Sequence, residues 1–214
     1  PKIRPEAGTY LALNHGRYIV PCFDVSRSSD VVLRDITVYH SLSHGVVASR
    51  TENLTLEAFN IAAREDKDRV FSSVADGFHL VNCKGRVVVE RCAHTGLGDD
   101  FLNIHGCNSV VRKVADARTV LAARTWYVDA GDEVWLLRKG EDLRREVLRV
   151  ASVKAAKLDD KTWGAAVTFE QPLPADFKAG DFFENKTWNA SLTMRHCRVL
   201  KRHRARGILV TTPE

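Results

Sequence analysis

Residues 76–106 read DGFHLVNCKGRVVVERCAHTGLGDDFLNIHG. Two short segments with strand-like alternation, GFHLV from 77 and FLNIH from 101, flank a longer one, VVVERCAH from 87. Strands deplete aspartate, and clustered carboxylates repel one another. Yet this stretch carries Asp76, Asp99 and Asp100 together with His79, His94 and His105. Whether those acids meet depends on how the segments around them stack.

The longer segment has three counterparts: VVLRDITV from 31, LTLEAFNI from 54 and LTMRHCRV from 192. Each is apolar at its first and third positions and again three further on. One column therefore holds Val31, Leu54, Val87 and Leu192, and a second holds Leu33, Leu56, Val89 and Met194. A third holds Ile36, Phe59, Cys92 and Cys197, which gives two of the five cysteines a place in a core. Each long segment is followed by a short one, GVVAS, GFHLV, FLNIH or GILVT, with columns Val46, Phe78, Leu102, Ile208 and Ala48, Leu80, Ile104, Val210. Matching strands recurring about every 20 to 30 residues predict a solenoid, whose turns stack because none buries its apolar face alone. Helical periodicity is nearly absent, so the expected fold is all-β, a parallel β-helix. The only Asp-Gly or Asn-Gly turn signal is Asp76-Gly77, too little for an up-and-down barrel of tight hairpins.

Residues 116–188 break this rhythm. TWYVDAGDEVWLLRKG, EVLRVASVKAA, KTWGAAVTFEQPLP and AGDFFENKTW read as alternating antiparallel strands joined by Gly, Asp and Pro turns. The expected organisation is β-helix turns over 1–115, an inserted small β-barrel over 116–188, and a resumed β-helix over 189–214. Trp126, Trp135 and Trp163 are expected in the barrel core.

Composition narrows the function classes. The chain's 214 residues are long enough for a sizeable core, and 44% hydrophobic with 28% charged residues is ordinary for a globular protein. A net charge of +5 with scattered Arg and Lys does not point to nucleic acid, and RHCRVLKRHRAR (195–206) reads as a solvated face. No apolar run reaches the ~20 residues of a membrane span, so no integral membrane segment is expected. Five cysteines without a CxxC pair argue against a zinc site or a disulfide framework. NLT, NKT and NAS match the glycosylation sequon, which matters only in a eukaryotic secretory setting. PKIRPEAG at the start carries no signal-peptide pattern.

With the turns stacked, the residues just before the short strands fall into one column: His44, Asp76, Asp100 and Arg206. Neighbouring parallel strands lie about 4.8 Å apart, which brings Asp76 and Asp100 to adjacent rungs with Asp99 beside them. Two carboxylates that close are expected to raise the pKa of one of them, leaving an acid beside a charged base. Such a pair suits glycosidic cleavage, one carboxyl protonating the leaving oxygen while another activates water. His79 and His105 are candidates to bond the cluster or a substrate's hydroxyls. Turn-capping by aspartate and a calcium site are the competing explanations.

DGFHLVNCKG followed by GLGDDFLNIHG resembles the core of glycoside hydrolase family 110, α-1,3-galactosidases acting on blood-group-B-type glycans. Upstream NHGRYIVPCFDVSRSSDVVLRDITVYHS and downstream HRARGILVTT fit the same pattern, as does the interrupting barrel. The resemblance implies a right-handed parallel β-helix and an inverting, cofactor-free and metal-independent hydrolase, secreted or periplasmic. Its partner would be a glycan ending in α-galactose. It further implies catalytic roles for Asp76, Asp99 and Asp100, and sugar contacts from Asn103, His105 and His79, with Arg206 added from the charged column. The family's chains are much longer, so leading and closing turns are expected beyond this stretch. Two other functions remain compatible with a β-helix: a non-catalytic carbohydrate-binding or surface module, and a calcium-dependent polysaccharide lyase drawing on Arg206.

Overall fold

A computed structural model of the chain describes residues 4–9, 16–67, 69–140, 144–159, 161–200 and 206–211. The centre of the basic run, 201–205, and Asn14 and His15 of the upstream motif lie outside the described residues. Among the described residues there is no α-helix, only a 3₁₀ turn at Glu65–Lys67. The chain before the barrel supplies β1 (Phe23–Asp24), β2 (Ser29–Val38), β3 (Val46–Ser49), β4 (Glu52–Ile61), β5 (Phe78–Val81), β6 (Lys84–Glu90), β7 (Ala93–Thr95) and β8 (Leu102–His105). The barrel strands are β9 (Asn108–Val114), β10 (Thr119–Ala123), β11 (Glu133–Leu137), β12 (Arg144–Lys157), β13 (Trp163–Phe169) and β14 (Phe182–Asn185). After it come β15 (Ala190–Arg195), β16 (Arg198–Leu200) and β17 (Ile208–Val210).

The apolar columns are strand registers. Val31 pairs with Leu54, Leu54 with Val87 and Val87 with Leu192, and Leu33, Leu56, Val89 and Met194 follow two residues on. The short strands pair likewise through Val46, Phe78, Leu102 and Ile208. Two parallel sheets result, one ordered β1-β3-β5-β8-β17, the other β15-β6-β4-β7-β16 with β2 also on β4. Their inner faces share one core in which Leu54, Leu56, Phe59, Phe78, Leu80, Val87, Val89, Leu102 and Ile104 are buried. Each such side chain contributes about 1.5–3 kcal/mol by leaving water. Cys92 belongs to this core and Cys197 packs against it.

Asp76-Gly77 is not a hairpin turn. Gly77 leads into a parallel strand, and its missing side chain admits the next turn: a Cβ there would lie 2.8 Å from the Phe101 carbonyl and 2.3 Å from His94 Nδ1. That close approach lets β5 pair directly with β8.

The six strands β10-β13-β12-β11-β14-β9 form a closed antiparallel barrel. Its interior is filled by Val111, Val120, Ala122, Val134, Leu136, Val150, Val167, Phe169 and Phe183. Strand β9, ahead of the expected start at 116, belongs to it and pairs with both β10 and β14. The tryptophans are not its core. Trp126 and Trp163 are 72% and 66% exposed, and Trp135 is half-buried between inward-pointing Val134 and Leu136. Trp163 is in phase with inward Ala165 and Val167 but opens its strand at the rim, where its ring lies 5.9 Å from Lys157 Nζ. The NKT sequon is also structural: Asn185 is buried, its amide bonded to the Tyr127 carbonyl and to Asp132.

Candidate active site

His44, Asp76, Asp100 and Arg206 each stand two residues before the paired positions of β3, β5, β8 and β17, so the register alone aligns them. The Gly45 N–H donates to the Asp76 carbonyl at 3.1 Å and the Gly77 N–H to that of Asp100 at 2.8 Å, holding the turns at rung spacing. One carboxylate oxygen from each of Asp76, Asp99 and Asp100 lies within 4.8 Å of the other two. The ledge expected from the sequence is therefore present, and its three acids differ in surroundings.

Asp76 is buried. Its Oδ1 accepts the Asp100 backbone N–H at 3.2 Å, and its Oδ2 lies 2.6 Å from His79 Nδ1 and 4.0 Å from His44 Nε2. Asp100 is buried completely, yet both its oxygens are engaged by one residue: Arg206 donates its backbone N–H at 2.9 Å and its guanidinium at 2.8 Å. Asp99 is the outermost, paired with Arg17 at 3.3 Å on a carboxyl that keeps 25% of its surface exposed. The rings of His44, His79 and His105 follow one another along the sheet, with centroids 4.8 Å and 5.2 Å apart. His79 pairs in register with Asn103, whose Oδ1 is buried without a partner among the described residues. His105 Nδ1 donates to the Gly106 carbonyl at 2.8 Å, leaving Nε2 as the acceptor.

The expectation that crowding lifts one carboxyl fails for Asp76. Burial pushes it up, but the His79 hydrogen bond and charge, the charge of His44 and the Asp100 N–H together hold it below the usual value. His44 is lowered to about 4, chiefly by burial and then by His79, with Asp76 opposing and Arg17 adding. Burial also lowers His105. Arg206 is raised, first by its hydrogen bond to Asp100 and then by the same carboxylate's charge.

No family model matches the chain. Curated proteins do. An α-1,3-galactosidase A of Shewanella woodyi is 31% identical over 97% of this chain and 34% of its own length. An α-1,3-galactosidase B of Phocaeicola vulgatus is 30% identical over 98% of the chain and 37% of its own length. A further α-1,3-galactosidase B, of Bacteroides thetaiotaomicron, is 30% identical over 99% and 35%. This chain is a homologue of the α-1,3-galactosidases. It spans about a third of the length of the curated relatives it matches.

In this galactosidase homologue the structure brings together all seven residues singled out in the sequence: the three aspartates on the ledge, Arg206 on Asp100, and His79, Asn103 and His105 on the adjoining strands. Three neighbours were missed. His44 stood in the charged column without being counted in the site. Arg17 and its neighbour Tyr18, whose ring lies 5.4 Å from that of His44, sit on an irregular segment that no register ties to the ledge. The donor types in the groups His44–Asp76–His79 and Asp76–Asp99–Asp100 suit a divalent cation. In both, however, the carboxylates already have cationic or hydrogen-bonding partners in His79, Arg206 and Arg17.

Proposed function

We propose that this chain carries the acid–base centre of an exo-acting α-galactosidase that releases terminal α-1,3-linked galactose from glycans with inversion and without a metal. The observation that carries this is the set of three aspartates within 4.8 Å, each compensated by a different partner. Turn-capping accounts for one aspartate per turn, not for three carboxyls gathered at one point.

The division of labour follows from those partners. Asp76 and Asp100 are buried, Asp76 held below the usual carboxylate value and Asp100 bonded at both oxygens by Arg206, and in this reading the pair takes a proton from water. Carboxylate oxygens up to 4.8 Å apart can both accept from one water. Asp99, the outermost and least buried of the three, takes the acid's part and protonates the glycosidic oxygen. As the bond to the leaving sugar breaks, the activated water attacks the anomeric carbon from the opposite face and gives up its proton to the Asp76–Asp100 pair. Inversion needs acid and base carboxyls roughly 6.5–9.5 Å apart, so Asp99 must swing outward from its resting place. His79, Asn103, His105 and Arg206 are placed to contact the sugar's hydroxyls. A lyase is disfavoured because Arg206, its candidate base, is held protonated by Asp100.

The same proposal takes the two parallel sheets as faces of a right-handed β-helix, with turns over 1–115 and 189–214 and the barrel inserted between them. It also places the enzyme outside the cytoplasm, where such glycans are met. The test is ¹H NMR of the full-length protein acting on an α-1,3-linked galactosyl disaccharide, with and without chelator. The expected result is β-galactose as the first product, unaffected by chelator. Release of α-galactose first would establish retention instead, and no release would favour a carbohydrate-binding module.

A further inference from the structure

A cleft of about 310 Å³ opens away from the aspartate ledge, at the seam between the first parallel sheet and the barrel. Ligand sites favour such seams, and the volume is within their range. The bend from β1 into β2 supplies Arg27, Ser28 and Ser29, Glu52 opens β4 beside them, and Asp129 and Trp188 close the barrel side. The bends are tied by backbone bonds: the Arg27 N–H donates to the Ser49 carbonyl at 2.8 Å and the Glu52 N–H to that of Ser28 at 2.9 Å. Arg50 fixes the opposite wall through Asp129 and, at 3.0 Å, Asp132, and the Asp129 N–H donates to Asp132 at 2.9 Å. Strand β3 runs between His44 of the ledge and Arg50 of the cleft, a span of roughly 20 Å in extended chain.

We infer that this cleft is a non-catalytic saccharide site, holding a neutral sugar unit of the glycan away from the galactose that is cleaved. It takes its ligand class from the glycan-directed function proposed above. The lining is balanced in charge: Arg27 and Arg50 face Glu52 and Asp129, and just behind them Lys84 pairs with Glu52 at 2.9 Å while Asp132 pairs with Arg50. Three cations against three carboxylates leave no net field to draw in an anion or a cation. The cleft offers instead donors on Arg27, acceptors on Glu52 and Asp129, and hydroxyls on Ser28 and Ser29. Ser28 donates to the Ser26 carbonyl at 3.2 Å, which leaves its oxygen to accept. Vicinal sugar hydroxyls, each both donor and acceptor, match that mixture. Arg50 and Lys84 lie over the Trp188 ring at 4.3 Å and 4.6 Å, so recognition falls to hydrogen bonds rather than to ring stacking.

The test is isothermal titration of the full-length protein with a neutral tetrasaccharide, the product left when an α-1,3-linked galactose cap is removed from a linear pentasaccharide. Wild type, Arg27→Ala and Glu52→Gln are compared, with thermal melting to confirm that each folds. Saturable binding is expected, weakened about tenfold in each variant, as for the loss of one hydrogen bond to a charged group. No saturable binding by the wild type, or the same affinity in both variants, overturns the inference. So does an affinity that collapses with added salt, which would mean that charge rather than hydroxyls is recognised. Galactose release from the capped pentasaccharide is followed separately. Release without tetrasaccharide binding refutes the cleft alone, and binding without release refutes the galactosidase proposal alone.

Discussion

Asp76 and Asp100 are alike in burial and different in how their charge is carried. Asp76 is met by the imidazole of His79, Asp100 by a guanidinium that keeps its charge. Replacing either by Asn keeps shape while removing the carboxylate that, in the proposed mechanism, takes water's proton. Asp76→Asn and Asp100→Asn should each lower kcat by about 10²–10⁴, with unfolding midpoints close to wild type. A large loss of stability with turnover intact in the folded fraction would return these residues to turn-capping. His79 gives a second, signed prediction. Burial raises the Asp76 carboxyl and His79 leads the opposition. His79→Phe should therefore let burial win and move the acidic limb of kcat/KM to higher pH. A limb that stays in place would show that His44 and the Asp100 N–H suffice.

At the scale of strands, the alternating columns were legible because one residue pattern recurs at matched spacing. A period-2 alternation with one buried face fixes register, since a one-residue slip would turn Leu54 and Leu56 outward. The bends between strands were not legible. Asp35 and Ala58 inside β2 and β4, and Arg91 and His196 just after β6 and β15, occupy equivalent positions, and Arg27, Arg50 and Asn82 do so along the other sheet; all seven have φ between 46° and 56°. Only Asp and Asn among them are residues that signal such a conformation. The three aspartates of the site could be read because register carries them, whereas Arg17 and Tyr18 precede the first paired strand.

Strand β7 contributes a feature the columns did not mark, a fully buried histidine. His94 lies 4.5 Å from the Phe78 ring and 4.1 Å from that of Phe101. Its ring nitrogens lack well-formed hydrogen bonds, the Phe59 backbone offering only a weak one. Burial lowers its pKa to about 3. The unfolded chain takes up that proton near pH 6.5 and the folded one does not, so stability falls with pH from about 6.5 down to 3. Between pH 7 and pH 4 the loss is on the order of 3 kcal/mol. His94→Phe should flatten that slope in urea denaturation and leave stability at pH 7 within about 1.5 kcal/mol of wild type. The remaining slope should come from the other groups lowered in the folded chain, among them His44 at about 4, His40, His105 and Asp76. An unchanged slope would mean that His94 is not held neutral.

Across the whole molecule, the barrel is fastened to the parallel sheets at Arg50, in the bend between β3 and β4. Its guanidinium donates to the Tyr127 carbonyl at 3.1 Å, to Asp132 at 3.0 Å and to Asp129, and lies 4.3 Å from the Trp188 ring centre. Lys84 lies 4.6 Å from the same ring, and Asn185 ties Tyr127 to Asp132. The junction bears on the site because the barrel starts three residues after His105, and a Cβ on Gly106 would come within 2.6 Å of Glu184 Oε1 on β14. Arg50→Met removes the cation from buried Asp132, and breaking a buried pair on one side costs about 3–5 kcal/mol. Because the uncompensated charge causes most of that, Arg50→Met/Asp132→Asn should recover a large part of it. Hydrogen exchange should quicken first in β9 and β14, with β4 and β6 protected as before, and KM should rise as His105 loses its support. If Arg50→Met costs less than about 1 kcal/mol, or exchange quickens evenly in both sheets and barrel, the two parts are joined by their covalent connections and apolar contacts rather than by this buried ion pair.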